Sequence, residues 1–202
     1  MSRISFTIEG LVVGREEMAE GHRDLSLFSF ARGLLRCRLR LSSNKPSTIP
    51  DLFSEVEAVV NPLSGNHLFF LGEWRVTRAR PAIGTHYRRL EAAGALARLI
   101  LLNARWLETF DCFHTLTCNA LDALSGEASP EAVRLKAFYL MVQTEGYPVK
   151  ESWLAEREAS DRESLDLLLS RPVAFCDAPL DNLIRWRRDL ERWIVAETDF
   201  SL

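Results

Sequence analysis

The sequence predicts an α+β chain: an N-terminal five-stranded β-barrel over residues 1–80, then an all-α helical domain over residues 81–202. Three observations carry this. Before residue 80, apolar residues alternate with polar ones in five short runs, the period of half-buried strands. From Tyr87 onward they recur at three- and four-residue steps, the period of helices facing a core. Between the two, "RPAIGT" (Arg80–Thr85) interrupts both patterns with a proline and a glycine.

Ile4–Val13 is the first strand, with Phe6 and Ile8 alternating against Ser5 and Thr7. Gly14 to Arg23 is polar and reads as a turn or loop. Leu25–Phe30 alternates again. "ARG" (Ala31–Gly33) is its turn, with Gly33 free to take a positive φ, and Leu34–Leu41 is the hairpin partner. "SSNKPSTIP" (Ser42–Pro50) is a loop full of breakers. Leu52–Val60 is the fourth strand, "NPLSGN" a turn, and Leu68–Ala79 the fifth. Five strands of this length point to a small closed barrel of the OB type, whose strand face and loops commonly hold oligonucleotides or sugars.

In the second part, Leu90, Ala93, Ala97, Ile100, Leu101 and Ala104 form one helical stripe. Further helices are expected at Cys112–Leu124, Pro130–Glu145, Ser160–Leu169 and Asp181–Glu197. Ser129 is placed to cap the third of these five, with Pro130 in the first turn, where its missing N–H costs nothing. Asp181 is placed to cap the last.

Composition excludes some classes. Apolar residues make up 47% of the 202, enough for real cores. Net charge is −3, so the protein has no overall basic field, and any anion binding must come from a local patch. Residues 1–80 carry 11 Lys and Arg against 9 Asp and Glu, whereas residues 81–202 carry 14 against 19. The cations are 22 Arg and only 3 Lys, and arginine suits phosphates and bases. No apolar run is long enough to span a bilayer and no secretory leader is evident. The four cysteines form no C-x-x-C pair. The expectation is a cytoplasmic protein with free thiols.

The local patch is "RGLLRCRLRLSSNK" (Arg32–Lys45). Residues two apart on a strand share a face, so Arg36, Arg38 and Arg40 point out together while Leu35, Cys37 and Leu39 point in. Same-face neighbours lie about 6.6–6.8 Å apart, close to the phosphate spacing of an extended single strand. Arg32 at the hairpin and Lys45 in the next loop extend the track. Two readings stand side by side: a DNA-backbone guide, and a plain charged outer face whose cations pair with Glu55 and Glu57 across the sheet. Phe28 and Phe30 share a face and could stack bases if outward or fill the core if inward; Trp74 is open to both readings.

These residues resemble a known family. "EGHRDLSLFSFARG" (Glu20–Gly33) resembles the N-terminal hairpin of RecO, the bacterial recombination mediator, in which a Glu is followed by an apolar residue with "TLFT" and then a Gly. Here the counterparts are Glu20, Leu25-Ser26-Leu27-Phe28-Ser29 and Gly33, with Ser replacing Thr twice. "GLVVGRE" (Gly10–Glu16) and "IPDLFSEVEAVV" (Ile49–Val60) fit the same family pattern. The resemblance implies an OB-fold followed by a helical domain; from the residues themselves, no enzymatic activity and no cofactor are expected. The resemblance also implies binding of single- and double-stranded DNA, annealing of complementary strands and loading of the recombinase. The implied partners are RecR and the acidic C-terminal tail of single-stranded DNA-binding protein. The chain departs from the family at three places. The usual basic loop reads "LRLSSNK", the zinc cysteines are missing from Glu145–Arg157, and "AETDFSL" replaces a basic tail. The picture is of a shortened member that binds no metal. The alternative is an OB-fold adaptor between proteins, with little DNA affinity.

The last helix is amphipathic, with Leu183, Trp186, Leu190, Trp193 and Ile194 on one stripe and Arg185, Arg188 and Arg192 opposite. That basic side is either solvated or a dock for an acidic peptide or DNA. No histidine sits in a nucleophile arrangement. Cys112, His114 and Cys118 are spaced wrongly for one metal ion, so no metal site is expected.

Overall fold

The computed structural model describes residues 5–18, 21–40, 49–63 and 68–202. The chain forms two compact units, Met1–Arg80 and Pro81–Leu202.

In the first unit, five strands close a barrel: β1 (Phe6–Glu17), β2 (His22–Ser29), β3 (Gly33–Arg40), β4 (Glu55–Pro62) and β5 (Leu68–Arg78). The order around the barrel is β1-β2-β3-β5-β4, closing on β1. β3 and β5 run parallel and the other neighbours antiparallel. This is the OB-type barrel that the strand pattern predicts. Its interior is filled by alternate residues, among them Ile8, Val12, Leu25, Leu27, Cys37, Leu39, Val56, Val60 and Leu71. Gly33 takes φ 68° and closes the β2–β3 hairpin at the place the sequence assigns to it.

Two strands are longer than the sequence predicts. β1 continues through Gly14–Glu17 and β2 starts at His22, because Gly14, Arg15, Glu16 and Glu17 pair with Ser26, Leu25, Asp24 and Arg23. Charged residues at strand ends read locally as loop; the neighbouring strand's hydrogen bonds hold them in the ladder. A register shift between Val12 and Gly14 lets Val12 and Val13 both be buried in succession. β4 begins three residues later than expected, at Glu55, because Leu52 and Phe53 form a turn. Phe53 adopts φ 66°, a left-handed conformation rare outside glycine. It is held there by three contacts. Its N–H donates to Val12 O at 2.8 Å, its carbonyl accepts from Arg80 Nη1 at 2.8 Å, and its ring is buried.

The second unit contains α1 (Pro81–Gly84), α2 (Tyr87–Asn103), α3 (Phe110–Ser125), α4 (Pro130–Thr144), a π-helical turn (Lys150–Leu154), α5 (Ala159–Ser170), a 3-10 turn (Val173–Phe175) and α6 (Leu180–Glu197). α4 is the central helix and packs against α2, α3 and α6. It buries Ala132, Val133, Leu135, Phe138, Tyr139 and Met141 on nearly every side, as a helix enclosed by others must. α6 is amphipathic as expected, burying Leu183, Trp186, Leu190 and Ile194, with Trp193 half-buried.

Local details differ from the sequence reading. On α2, Ala93, Ala97 and Ile100 are buried, as is Ala104 at its C-cap, but Leu90 and Leu101 are exposed and Leu96 and Leu99 take their place. Ser129 occupies the N-cap position of α4, though its hydroxyl makes no capping bond. The N-cap of α6 is Pro179, one residue before the helix begins at Leu180. Asp181 therefore lies in the first turn, where its charge suits the helix dipole instead of capping. No helix among the described residues is long and apolar enough to cross a membrane.

Candidate nucleic-acid interface

β3 is where the arginine row is built. Its burial alternates strictly: Leu35, Cys37 and Leu39 face the barrel interior, while Arg36, Arg38 and Arg40 face out. β2 lies on one side of it and sets Ser26, Asp24 and His22 opposite Arg36, Arg38 and Arg40. β1 follows, setting Glu16 beside Asp24. On the other side β5 runs parallel and pairs Phe70 with Arg38. Phe69 packs against the barrel core, so the next residue, Phe70, falls on the outer face beside the row.

The electrostatics of this face differ from the expectation. Arg38 grips Asp24 with two nitrogens, Nε to Oδ1 at 2.7 Å and Nη2 to Oδ2 at 3.0 Å. Arg36 Nη2 lies 3.2 Å from both Asp24 Oδ2 and Glu16 Oε2. Asp24 is only 2% exposed. The Arg38 guanidinium holds the Asp24 carboxyl below its ordinary value; burial works in the opposite direction, and Arg36 adds to the lowering. Two of the three arginines thus share two carboxylates. Arg36 remains 53% exposed at its side chain, and Arg40 is exposed with no ion pair among the described residues.

The acids that the sequence offered as partners are engaged elsewhere. β5 separates β4 from β3, so Glu55 and Glu57 do not face the row. Glu57 pairs with Arg75 at 2.5 Å, and Glu55 pairs with the buried Arg80. The true partners are Glu16, in the stretch that reads as loop, and Asp24, just before the second strand as the sequence bounds it. The signal that could have found them is the alternation Asp24, Ser26 on β2, in register with Arg38 and Arg36.

The other predicted residues separate. Phe28 is fully buried and offers no ring to a base. Phe30 is exposed in the hairpin turn, and Trp74 packs against the barrel core. Arg32 is exposed, with its guanidinium 4.2 Å above the Phe6 ring, and Phe6 meets Phe69 edge-on at 5.7 Å. Lys45 lies outside the described residues.

In the helical unit, Arg185 is clamped by Asp161 at 2.8 and 2.9 Å, and Arg192 by Asp189 at 2.9 Å. Arg188 is exposed and makes no ion pair among the described residues. The basic side of α6 is therefore largely neutralised. A pocket of about 460 Å³ in the same unit is lined by Trp106, Leu107, Tyr147 and Phe200 with Glu108, Glu145 and Asp199. Phe200 is itself docked there, stacked on Phe113 at 6.0 Å and edge-on to Tyr147 at 5.9 Å. Asn103 holds the following residue, accepting from Ser201 N at 2.9 Å and donating to Ser201 O at 2.8 Å. The acidic lining is opposite in sign to what an acidic peptide tail requires.

Among the described residues no group of three His, Cys, Asp or Glu could hold a metal ion. His114 and Cys118 touch at 3.9 Å, one turn apart on α3. No family model matches the chain, and no curated protein matches it as a relative.

Proposed function

We propose that this chain is a non-enzymatic mediator of DNA repair and recombination, similar to RecO, that binds single-stranded DNA on the outer face of β2–β3 and aids recombinase loading. The observation that carries the proposal is the outward row Arg36–Arg38–Arg40 on β3 of an OB-type barrel, the strand face on which such barrels take oligonucleotides. Arg36 and Arg40 keep exposed guanidinium groups for phosphates, and Phe70 lies next to Arg38 on the same face as an aromatic neighbour. The helical unit would then carry the protein contacts, with RecR and the tail of single-stranded DNA-binding protein as the partners to test.

A second reading has its own support. Asp24 and Glu16 cancel much of the row's charge, which favours an OB-fold adaptor between proteins with little DNA affinity.

Titrating a fluorescent single-stranded oligonucleotide at several salt concentrations separates the two. The mediator gives a salt-dependent isotherm that Arg36→Ala/Arg40→Ala weakens about tenfold or more. This pair is preferable to reversing all three arginines, because Arg38→Glu sets a second carboxylate against buried Asp24 and threatens the barrel itself. Equal and negligible binding by wild type and variant supports the adaptor instead.

A further inference from the structure

α2 has an outer face that its own unit does not use. Ala93, Leu96 and Ile100 turn inward, while Tyr87, Leu101 and Leu102 turn outward at 77%, 40% and 40% exposure. Gly94 lies on the same outer face in mid-helix, where glycine weakens a helix relative to alanine. Nothing inside the unit requires it there: a Cβ built on Gly94 meets no heavy atom within 4 Å. What the missing side chain does permit is the close approach of a second helix, because interaxial distance is set by the side chains at the crossing.

The charges on this face identify that helix. Glu91 precedes Gly94 by three residues and Arg98 follows it by four. Both are exposed, and neither forms an ion pair among the described residues; Glu91 adds to the field at Arg134 without bonding to it. When a second α2 runs antiparallel across Gly94, each Glu91 meets an Arg98 and each Tyr87 meets a Leu102. The face is complementary to itself under a two-fold axis, the condition for a closed dimer. An acidic or a basic partner helix would satisfy only half of this pattern.

We infer that the outer face of α2 is a self-association surface on which a second copy of this chain docks antiparallel, with Gly94 at the crossing and a Glu91–Arg98 pair on either side. A single helix of 17 residues, about 25 Å long, makes a contact at the small end of specific interfaces. The dimer therefore dissociates on dilution.

Sedimentation equilibrium of the full chain, without DNA, tests this across the micromolar range. The expected result is a weight-average mass that rises with concentration from monomer towards dimer. Glu91→Arg and Arg98→Glu each weaken association about tenfold or more by opposing like charges, and the double variant Glu91→Arg/Arg98→Glu restores it. Gly94→Leu abolishes association while raising Tm at concentrations where wild type is monomeric, since leucine favours the helix and a Cβ at this position meets no atom of the unit. A monomer at every concentration overturns the inference. So does association of either single charge variant, or of Gly94→Leu, at wild-type strength. None of these outcomes depends on whether the barrel binds DNA.

Discussion

At Asp24, two arginines compete for one buried carboxylate. The side chain is held below its ordinary pKa of 3.8, chiefly by Arg38. A depressed folded value stabilises the native state fully above the unfolded pKa of about 3.9, and that contribution fades as pH falls through the folded value. Urea unfolding should therefore show Asp24→Asn less stable than wild type at pH 7, with the gap closing below about pH 4. The same substitution frees Arg38 and part of Arg36. If the row guides DNA, Asp24→Asn binds single-stranded oligonucleotide several-fold more tightly than wild type in a fluorescence titration; unchanged affinity counts against the row. At Cys37 burial is the cause that wins. Enclosed in the barrel with Asp24 nearby, its thiol is pushed up to about 12. Iodoacetamide at pH 8 should label exposed Cys112 first and leave Cys37 untouched until the barrel unfolds, as read by peptide mass spectrometry. The arginine row was legible in the sequence because alternation is local. Its neutralisation was not, because Glu16 and Asp24 reach the row only through the β1–β2–β3 register.

Among the elements, α4 and α6 are joined by more than their apolar stripes. Arg187 on α6 bonds Glu131 of α4 at 2.5 Å and Glu191 of its own helix at 2.7 Å, and Glu191 in turn meets Arg134 of α4 at 2.6 Å. All four side chains are mostly covered, so removing Arg187 leaves Glu131 partly buried without its ion-pair partner, while Glu191 keeps Arg134. Arg187→Ala should cost about 3 kcal/mol in a denaturant titration, and Arg187→Ala with Glu131→Ala less than the sum of the single changes. Arg188, one residue along and exposed, should cost nearly nothing when changed to Ala. The helical period separated apolar from polar sides of α6 correctly, yet it grouped Arg185, Arg188 and Arg192 as one free basic face. Asp161 of α5 and Asp189 of α6 itself take up two of those three. Asp161 is distant in sequence, and only the packing of α5 beside α6 brings it to Arg185.

For the molecule as a whole, net charge −3 and a row left with one surplus cation limit how DNA can be held. Single-strand binding releases about 0.7 counterion per phosphate neutralised. With Arg36 and Arg40 as the exposed cations of this face and Arg32 in the adjoining hairpin turn, the slope of log K against log salt should be shallow, about −1 to −2. A slope steeper than about −4 would place the DNA on some other surface. By itself the sequence determined the two-part architecture, the inward and outward faces of β3 and the five main helices, because hydrophobic period and turn residues act over a few neighbours. Only the tertiary structure decided the extent of β1 and β2, the pairing of Arg36 and Arg38 with Glu16 and Asp24, and the unused face of α2. Each depends on which strand or helix lies alongside, and burial and charge partners follow from that neighbour.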